Sequence, residues 1–198
     1  MKKIVMLGVM MLILIIPMTV NAAFSDVPED HWANSYITEL SGKGVINGFP
    51  DGTFGPSETL TYGQFIKLIV SASIEGVDYE LVSTDVDHWA APYLKVAQNY
   101  GAVEEGITAE RLDQPISRLE VVTILGKCDM DMRLHEQQSV EDLPFTDISN
   151  ISTLERYMLG HAVASNIING YTDGTFKPAN NLTRAEAAKV LSVYMNIK

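Results

Sequence analysis

The segment FSDVPEDHWANSYITELSGKGVINGFPDGTFGPSETLTYGQFIKLIV, Phe24 to Val70, recurs as FTDISNISTLERYMLGHAVASNIINGYTDGTFKPANNLTRAEAAKVL, Phe145 to Leu191. The shared NG(F/Y)xDGTFxP pattern, at Asn47–Pro56 and Asn169–Pro178, is long and specific. Between them lies a degenerate copy, TDVDHWAAPYLKVAQNYGAVEEGITAERLDQPISRLEVVTIL, Thr84 to Leu125. It keeps Asp85, His88, Trp89, Tyr93, Gly101 and Ser117-Arg118-Leu119-Glu120, and loses the DGTF segment. Such repetition constrains the fold more than any other feature. One unit of about fifty residues cannot bury its apolar faces alone, whereas three together can.

Each copy has the same local grammar. A first helix begins near the proline or tryptophan and carries a stripe such as Trp32, Tyr36, Ile37 and Leu40. A glycine, Gly44 or Gly101, ends it. In the two complete copies, a loop follows with tight turns at Asp51-Gly52 and Asp173-Gly174. A second helix then starts at Thr61, Ser117 or Thr183. Thr183 with Glu186 fits a capping box, in which hydroxyl and carboxylate each satisfy an orphan amide of the helix start. The class expected is therefore mainly α, three tandem helix-loop-helix units. The expected boundaries are 23–74, 84–128 and 145–198, with a polar linker at 129–144.

Arg184 stands at the first position of such a helix, where a cation works against the helix dipole by roughly 0.3–1 kcal/mol. Two readings are open. The arginine is a solvent-screened surface residue, or it joins the first-turn amides in gripping a carboxylate or phosphate. Copy 1 has Thr61-Tyr62-Gly63-Gln64, which keeps the capping pair and drops the arginine. Cap and arginine are thus separable, the pattern of a fold requirement plus a binding requirement.

Residues 1–22 are expected to be a secretory leader. Lys2 and Lys3 precede an apolar run from Ile4 to Val20, broken by Pro17 and followed by a small-residue cleavage site at Ala22. Its removal takes the net charge from −11 to −13. So acidic a chain argues against nucleic acid, and any anion it binds must be gripped by local groups. No transmembrane anchor is expected in the mature chain. Cys128 is the sole cysteine, which excludes an intrachain disulfide and a cysteine zinc site, and its apolar helical surroundings suit packing.

The opening F-x-D-V/I, the H-W-A, the G-x-x-x-G-(F/Y)-x-D-G-T-F-x-P loop and the T-R-A-E helix start resemble S-layer homology repeats, over essentially all of residues 24–198. The resemblance implies a compact pseudo-threefold helical unit. It also implies an exported protein held non-covalently on the cell wall or S-layer of a Gram-positive-type envelope. The implied partner is a secondary cell-wall polymer, an anionic glycan often carrying pyruvate ketals. The implied sites are grooves between repeats, built from the T-R-A-E arginine, the early aspartate, the tryptophan and glycine-containing backbone. Carried over residue by residue, these are Arg184 and Arg118, Asp26, Asp85 and Asp147, Trp32 and Trp89, and Gly48 and Gly170. The chemistry agrees: arginine and amides suit a carboxylate, and a sugar face can lie on tryptophan.

The copies are unequal. Copy 3 has Arg184 but Thr153 or Leu154 where tryptophan would fall. If neighbours share in cyclic order, Arg184 joins Asp26 and Trp32; if each repeat is self-contained, only copy 2 has both Arg118 and Trp89. A closed unit sets copies 3 and 1 side by side, which favours sharing, and either arrangement leads to one competent groove. Trp32 and Trp89 have a second reading as core aromatics, and the three aspartates as turn caps. His31 and His88 have no counterpart in copy 3, which argues against a shared metal or catalytic site, and no cofactor is expected. Neither a His–Ser–Asp set nor a carboxylate pair recurs, so the expectation is not an enzyme. The rival to a glycan-binding module is a structural unit for other envelope proteins, with reduced glycan binding.

Overall fold

The computed structural model describes residues 24–74, 76–128 and 143–197. The expected leader and nearly all of the expected linker lie outside the described residues. Among the described residues the chain is mainly helical, without strands: α1 Asn34–Gly42, α2 Tyr62–Ser73, α3 Ala91–Asn99, α4 Ala109–Asp113, α5 Arg118–Cys128, α6 Thr153–Ala164 and α7 Arg184–Ile197. A 3-10 turn at Tyr79–Leu81 precedes α3. No helix among the described residues is long and apolar enough to cross a membrane.

The three copies close on themselves through backbone. Leu60 N–H donates to Leu182 O, Leu182 N–H to Ile116 O, and Ile116 N–H to Leu60 O, each at 3.0 Å. These three residues precede the second helices of copies 1, 3 and 2, and all are buried. Three equivalent positions bonding in a cycle are a pseudo-threefold axis. A second cycle surrounds it: Tyr62 N–H donates to Gln114 O, Arg118 N–H to Asn180 O and Arg184 N–H to Glu58 O.

Packing follows the same rotation. The first helix of each copy lies on the second helix of the preceding copy: α1 on α7, α3 on α2 and α6 on α5. Neither helix buries its stripe within its own copy, so one core serves all three, with Ile37, Phe65, Leu94, Leu125, Leu159 and Leu191 fully covered. Copy 2 replaces the DGTF loop with α4, which Thr108 caps through the amide of Arg111.

Helix ends follow local chemistry. Capping boxes form at Thr61–Gln64, Ser117–Glu120 and Thr183–Glu186. The first helix of copy 3 has its own, Ser152–Glu155. Copies 1 and 2 use histidine instead: Nδ1 of His31 and His88 accepts from the amides of Ala33 and Ala90, at 3.2 and 3.0 Å. This gives the H-W-A motif a structural role. Histidine turns the chain, the alanine is buried, and the tryptophan between them points outward. The expected stripe therefore loses Trp32, which precedes α1 and is 55% exposed; Trp89 is 53% exposed. At the end of the first helix, Asn166 takes in copy 3 the left-handed backbone that Gly44 and Gly101 take elsewhere.

Candidate functional site

The DGTF loops are braced by their own side chains. Asp51 Oδ1 accepts from the amide and hydroxyl of Thr53, and Asp173 Oδ1 does the same for Thr175. The early aspartates clamp the following residues. Asp26 accepts from the amides of Phe54 and Gly55, both at 2.7 Å, and Asp147 from those of Phe176 and Lys177, both at 2.8 Å. Desolvation pushes these two carboxyls up, but the paired amides outweigh it and hold both below the usual carboxylate range. Asp85 is exposed and makes no such clamp, since copy 2 lacks the loop.

Gly48 and Gly170 are demanded by packing. A Cβ on Gly48 would lie 2.2 Å from the Phe24 ring and 2.5 Å from Thr53 O; one on Gly170 would lie 2.1 Å from the Phe145 ring. The neighbouring Asn47 and Asn169 line the grooves, while the two glycines do not.

The arginines reach across copy boundaries. Arg184 Nε donates to Phe54 O at 2.7 Å and Nη2 to Asn47 O at 3.0 Å, with Phe49 and Phe54 against the guanidinium. Arg118 Nε donates to Phe176 O at 2.9 Å and Nη2 to Asn169 O at 2.6 Å, between Tyr171 and Phe176. Each arginine thus ties down the DGTF loop of the next copy. The expectation that the arginine is dispensable for folding is corrected here, because it supplies donors to two loop carbonyls. The free first-turn amides are also corrected: Arg184 and Ala185 donate to Glu58 O and Pro56 O, and Arg118 and Leu119 to Asn180 O and Pro178 O. Neighbouring copies have consumed the donors that an isolated helix would offer.

Two grooves hold both an arginine and a tryptophan, and each draws on all three copies. Groove I, about 240 Å³, is lined by Asn47, Gln64 and Lys67 of copy 1, Trp89 of copy 2 and Arg184 of copy 3. Groove II, about 170 Å³, is lined by Asn169, Glu186 and Lys189 of copy 3, Trp32 of copy 1 and Arg118 of copy 2. The expected partnership of Arg184 with Trp32 is therefore corrected to Arg184 with Trp89, and one arginine–tryptophan groove becomes two. The reason is the helix packing. A loop sits at the foot of its own second helix, and the next copy's first helix brings its tryptophan onto that same helix. Asp26 stays behind the loop of groove I, its carboxylate engaged with the two amides.

Lys67 and Lys189 were missed by sequence reasoning. They occupy the same register of α2 and α7, six residues beyond Thr61 and Thr183, and the recurring lysine was the signal. Burial, then the nearby Arg118 charge, push the ammonium of Lys189 below its usual range, while Glu186 opposes them. Burial likewise lowers Arg184, against the fields of Glu58 and Asp26. Two cations crowded at one groove favour a bound anion.

Groove III, about 660 Å³, is of another kind. Tyr62 takes the arginine position, burial raising its pKa to about 12, and Glu104, Glu120, Lys127, Asp147 and Glu155 line the walls. The Arg111 guanidinium lies 4.2 Å over the Tyr62 ring and pairs with Glu120. No tryptophan lines it.

The S-layer homology domain profile matches residues 23–66 and 144–188. The chain is 30% identical over 179 residues to an endoglucanase of Bacillus sp. (strain KSM-635), covering 87% of this chain and 18% of that protein. It is 28% identical over 186 residues to S-layer protein EA1 of Bacillus anthracis, covering 86% of this chain and 20% of that protein. Outer membrane protein SlpA of Thermus thermophilus is 33% identical over 119 residues, 51% of this chain and 12% of that protein. The chain thus spans a fifth or less of the length of each of these relatives.

Proposed function

The chain carries S-layer homology domains at residues 23–66 and 144–188, and we propose that it binds the cell wall non-covalently, holding an anionic secondary wall glycan in grooves I and II. Residues 84–128 serve as a third, diverged repeat that supplies Arg118 and Trp89. One observation carries this reading: each of these grooves sets an arginine and a lysine beside an exposed tryptophan. The cations suit a carboxylate such as a pyruvate ketal. The indole face suits a sugar ring. An acidic protein needs such local basic sites to hold an anion at all. The module acts by binding and carries out no reaction. Two relatives are named an S-layer protein and an outer membrane protein, which supports a place in the cell envelope for this one. The endoglucanase activity belongs to that relative, of which this chain matches 18%.

A second reading rests on groove III. Its missing arginine and tryptophan suit an envelope protein that has given up one of three glycan sites.

The test is sedimentation with purified wall sacculi before and after chemical removal of the secondary polymer. Polymer-dependent pelleting is expected, and pelleting that survives removal would overturn the reading. Arg184→Ala should weaken pelleting roughly ten-fold or more, the scale of a lost charge-assisted hydrogen bond. Because Arg184 also ties down a loop, Lys67→Gln is the companion variant; it leaves those loop bonds intact.

A further inference from the structure

Grooves I and II share one plan, and their charged linings differ at one position. In groove II, Arg118 Nη1 faces Glu186 Oε1 at 3.4 Å, so the remaining edge of the guanidinium is compensated. Glu186 is the third residue of its helix, and its other oxygen accepts from the Thr183 amide at 2.8 Å. The same position in groove I is Gln64, whose Oε1 accepts from the Thr61 amide at 3.0 Å. Its side chain caps the helix equally well but brings no charge. Arg184 uses Nε and Nη2 on the loop carbonyls, and among the described residues Nη1 has no hydrogen-bond partner. The charged lining of groove I is therefore Arg184 and Lys67; that of groove II is Arg118, Lys189 and Glu186. Glu58 and Asp26 act on Arg184 from outside the lining of groove I.

Resting on the wall-glycan reading above, we propose that Gln64 sorts the two grooves: groove I is the primary site for the carboxylate-bearing sugar, and groove II is its weaker counterpart. A carboxylate entering groove I meets two cations and an open Nη1. One entering groove II must displace or face Glu186. One like charge a few ångströms away in a half-solvated site changes affinity by roughly three- to ten-fold. Exposure reinforces the order, since Arg118 is only 3% exposed.

The chain has two tryptophans, one per groove, so each indole N–H resonance reports one site. The probe is a methyl hexopyranoside bearing a pyruvate ketal, with its methyl ester as the uncharged control. The Trp89 signal should saturate at a roughly three- to ten-fold lower concentration of the acid than the Trp32 signal, and the ester should abolish the difference. Gln64→Glu should bring the Trp89 midpoint to that of Trp32, and Glu186→Gln should lower the Trp32 midpoint. Both changes are isosteric and keep the capping bonds. Trp32 saturating first, an ester that titrates like the acid, or a Gln64→Glu variant that titrates like the parent would each overturn the sorting. Sacculi that pellet the chain while neither indole moves would overturn the sorting and spare wall binding. Failure to pellet would remove both.

Discussion

Ile116 donates its amide to the carbonyl of Leu60 at 3.0 Å, joining copy 2 to copy 1 at the point where both second helices begin. With Leu182 completing the ring, no copy can leave without breaking two of the three central bonds. Ile116 is fully buried and lines none of the three grooves. Ile116→Ala should therefore cost about 2–5 kcal/mol, the range for a large-to-small change in a tight core. Urea unfolding followed by Trp32 and Trp89 fluorescence, one tryptophan at a time, should show both signals moving together. Separate transitions would mean that the copies fold independently.

The two loop glycines should respond differently to the same change. The three atoms nearest a methyl group on Gly170 all belong to the Phe145 ring, whereas Gly48→Ala also meets the Thr53 carbonyl at 2.5 Å. Each should destabilise by about 1–3 kcal/mol, the usual cost of overpacking. Adding Phe145→Leu should restore much of the loss at Gly170. Adding Phe24→Leu should do so far less at Gly48, because a backbone oxygen cannot step aside. Thermal melts of the four variants check this.

The mainly helical class was legible because the copies carry their own punctuation: a capping pair in all three, a helix-ending glycine in copies 1 and 2, and a DGTF turn in copies 1 and 3. These act within a few residues, and local chemistry suffices to read them. The partnership of Arg184 with Trp89 is different in kind. It depends on which neighbour each first helix chooses, and the contacts that decide it are spread over α2, α3 and α7. The fate of the first-turn amides was hidden for the same reason: their acceptors, Glu58 and Asn180, belong to other copies. Lys67 and Lys189 were visible as a repeated register, but without the groove nothing set them apart from solvated helix lysines. Asp85 shows the converse limit. The letter persists in copy 2 after the loop that gives it a partner has gone.

Acid should loosen the loops. The folded-state pKa values of Asp26 and Asp147 lie below the ordinary 3.8. Their hydrogen bonds therefore contribute stability that is fully present above the unfolded pKa and is lost as pH falls through the folded one. Unfolding free energy should hold steady from about pH 7 to 5 and fall below about pH 4. Asp26→Asn and Asp147→Asn should each lower stability at pH 7 and flatten the acid limb. An acid limb as steep in the double variant as in the parent would assign the loss to other carboxylates, Glu39 among them, which its bond to Lys43 holds at about 2.

The rotation of tryptophans can be checked by fluorescence. Trp32→Phe leaves Trp89 as the emitter, and Trp89→Phe leaves Trp32. In the first background, Lys67→Gln should raise the midpoint for the ketal probe by roughly three- to ten-fold, because it removes one of two cations from groove I. In the second, the same change should leave the Trp32 midpoint where it was, since Lys67 and Trp32 line different grooves. Lys189→Gln should do the reverse. Its effect should also depend on pH, because burial and Arg118 already hold the Lys189 ammonium below its usual range and a bound carboxylate opposes that shift. A Lys67→Gln change that altered the Trp32 response would pair the tryptophans with the wrong arginines. The sequential order of the repeats would then describe the sites better than the order imposed by the packing of α3 on α2 and α1 on α7.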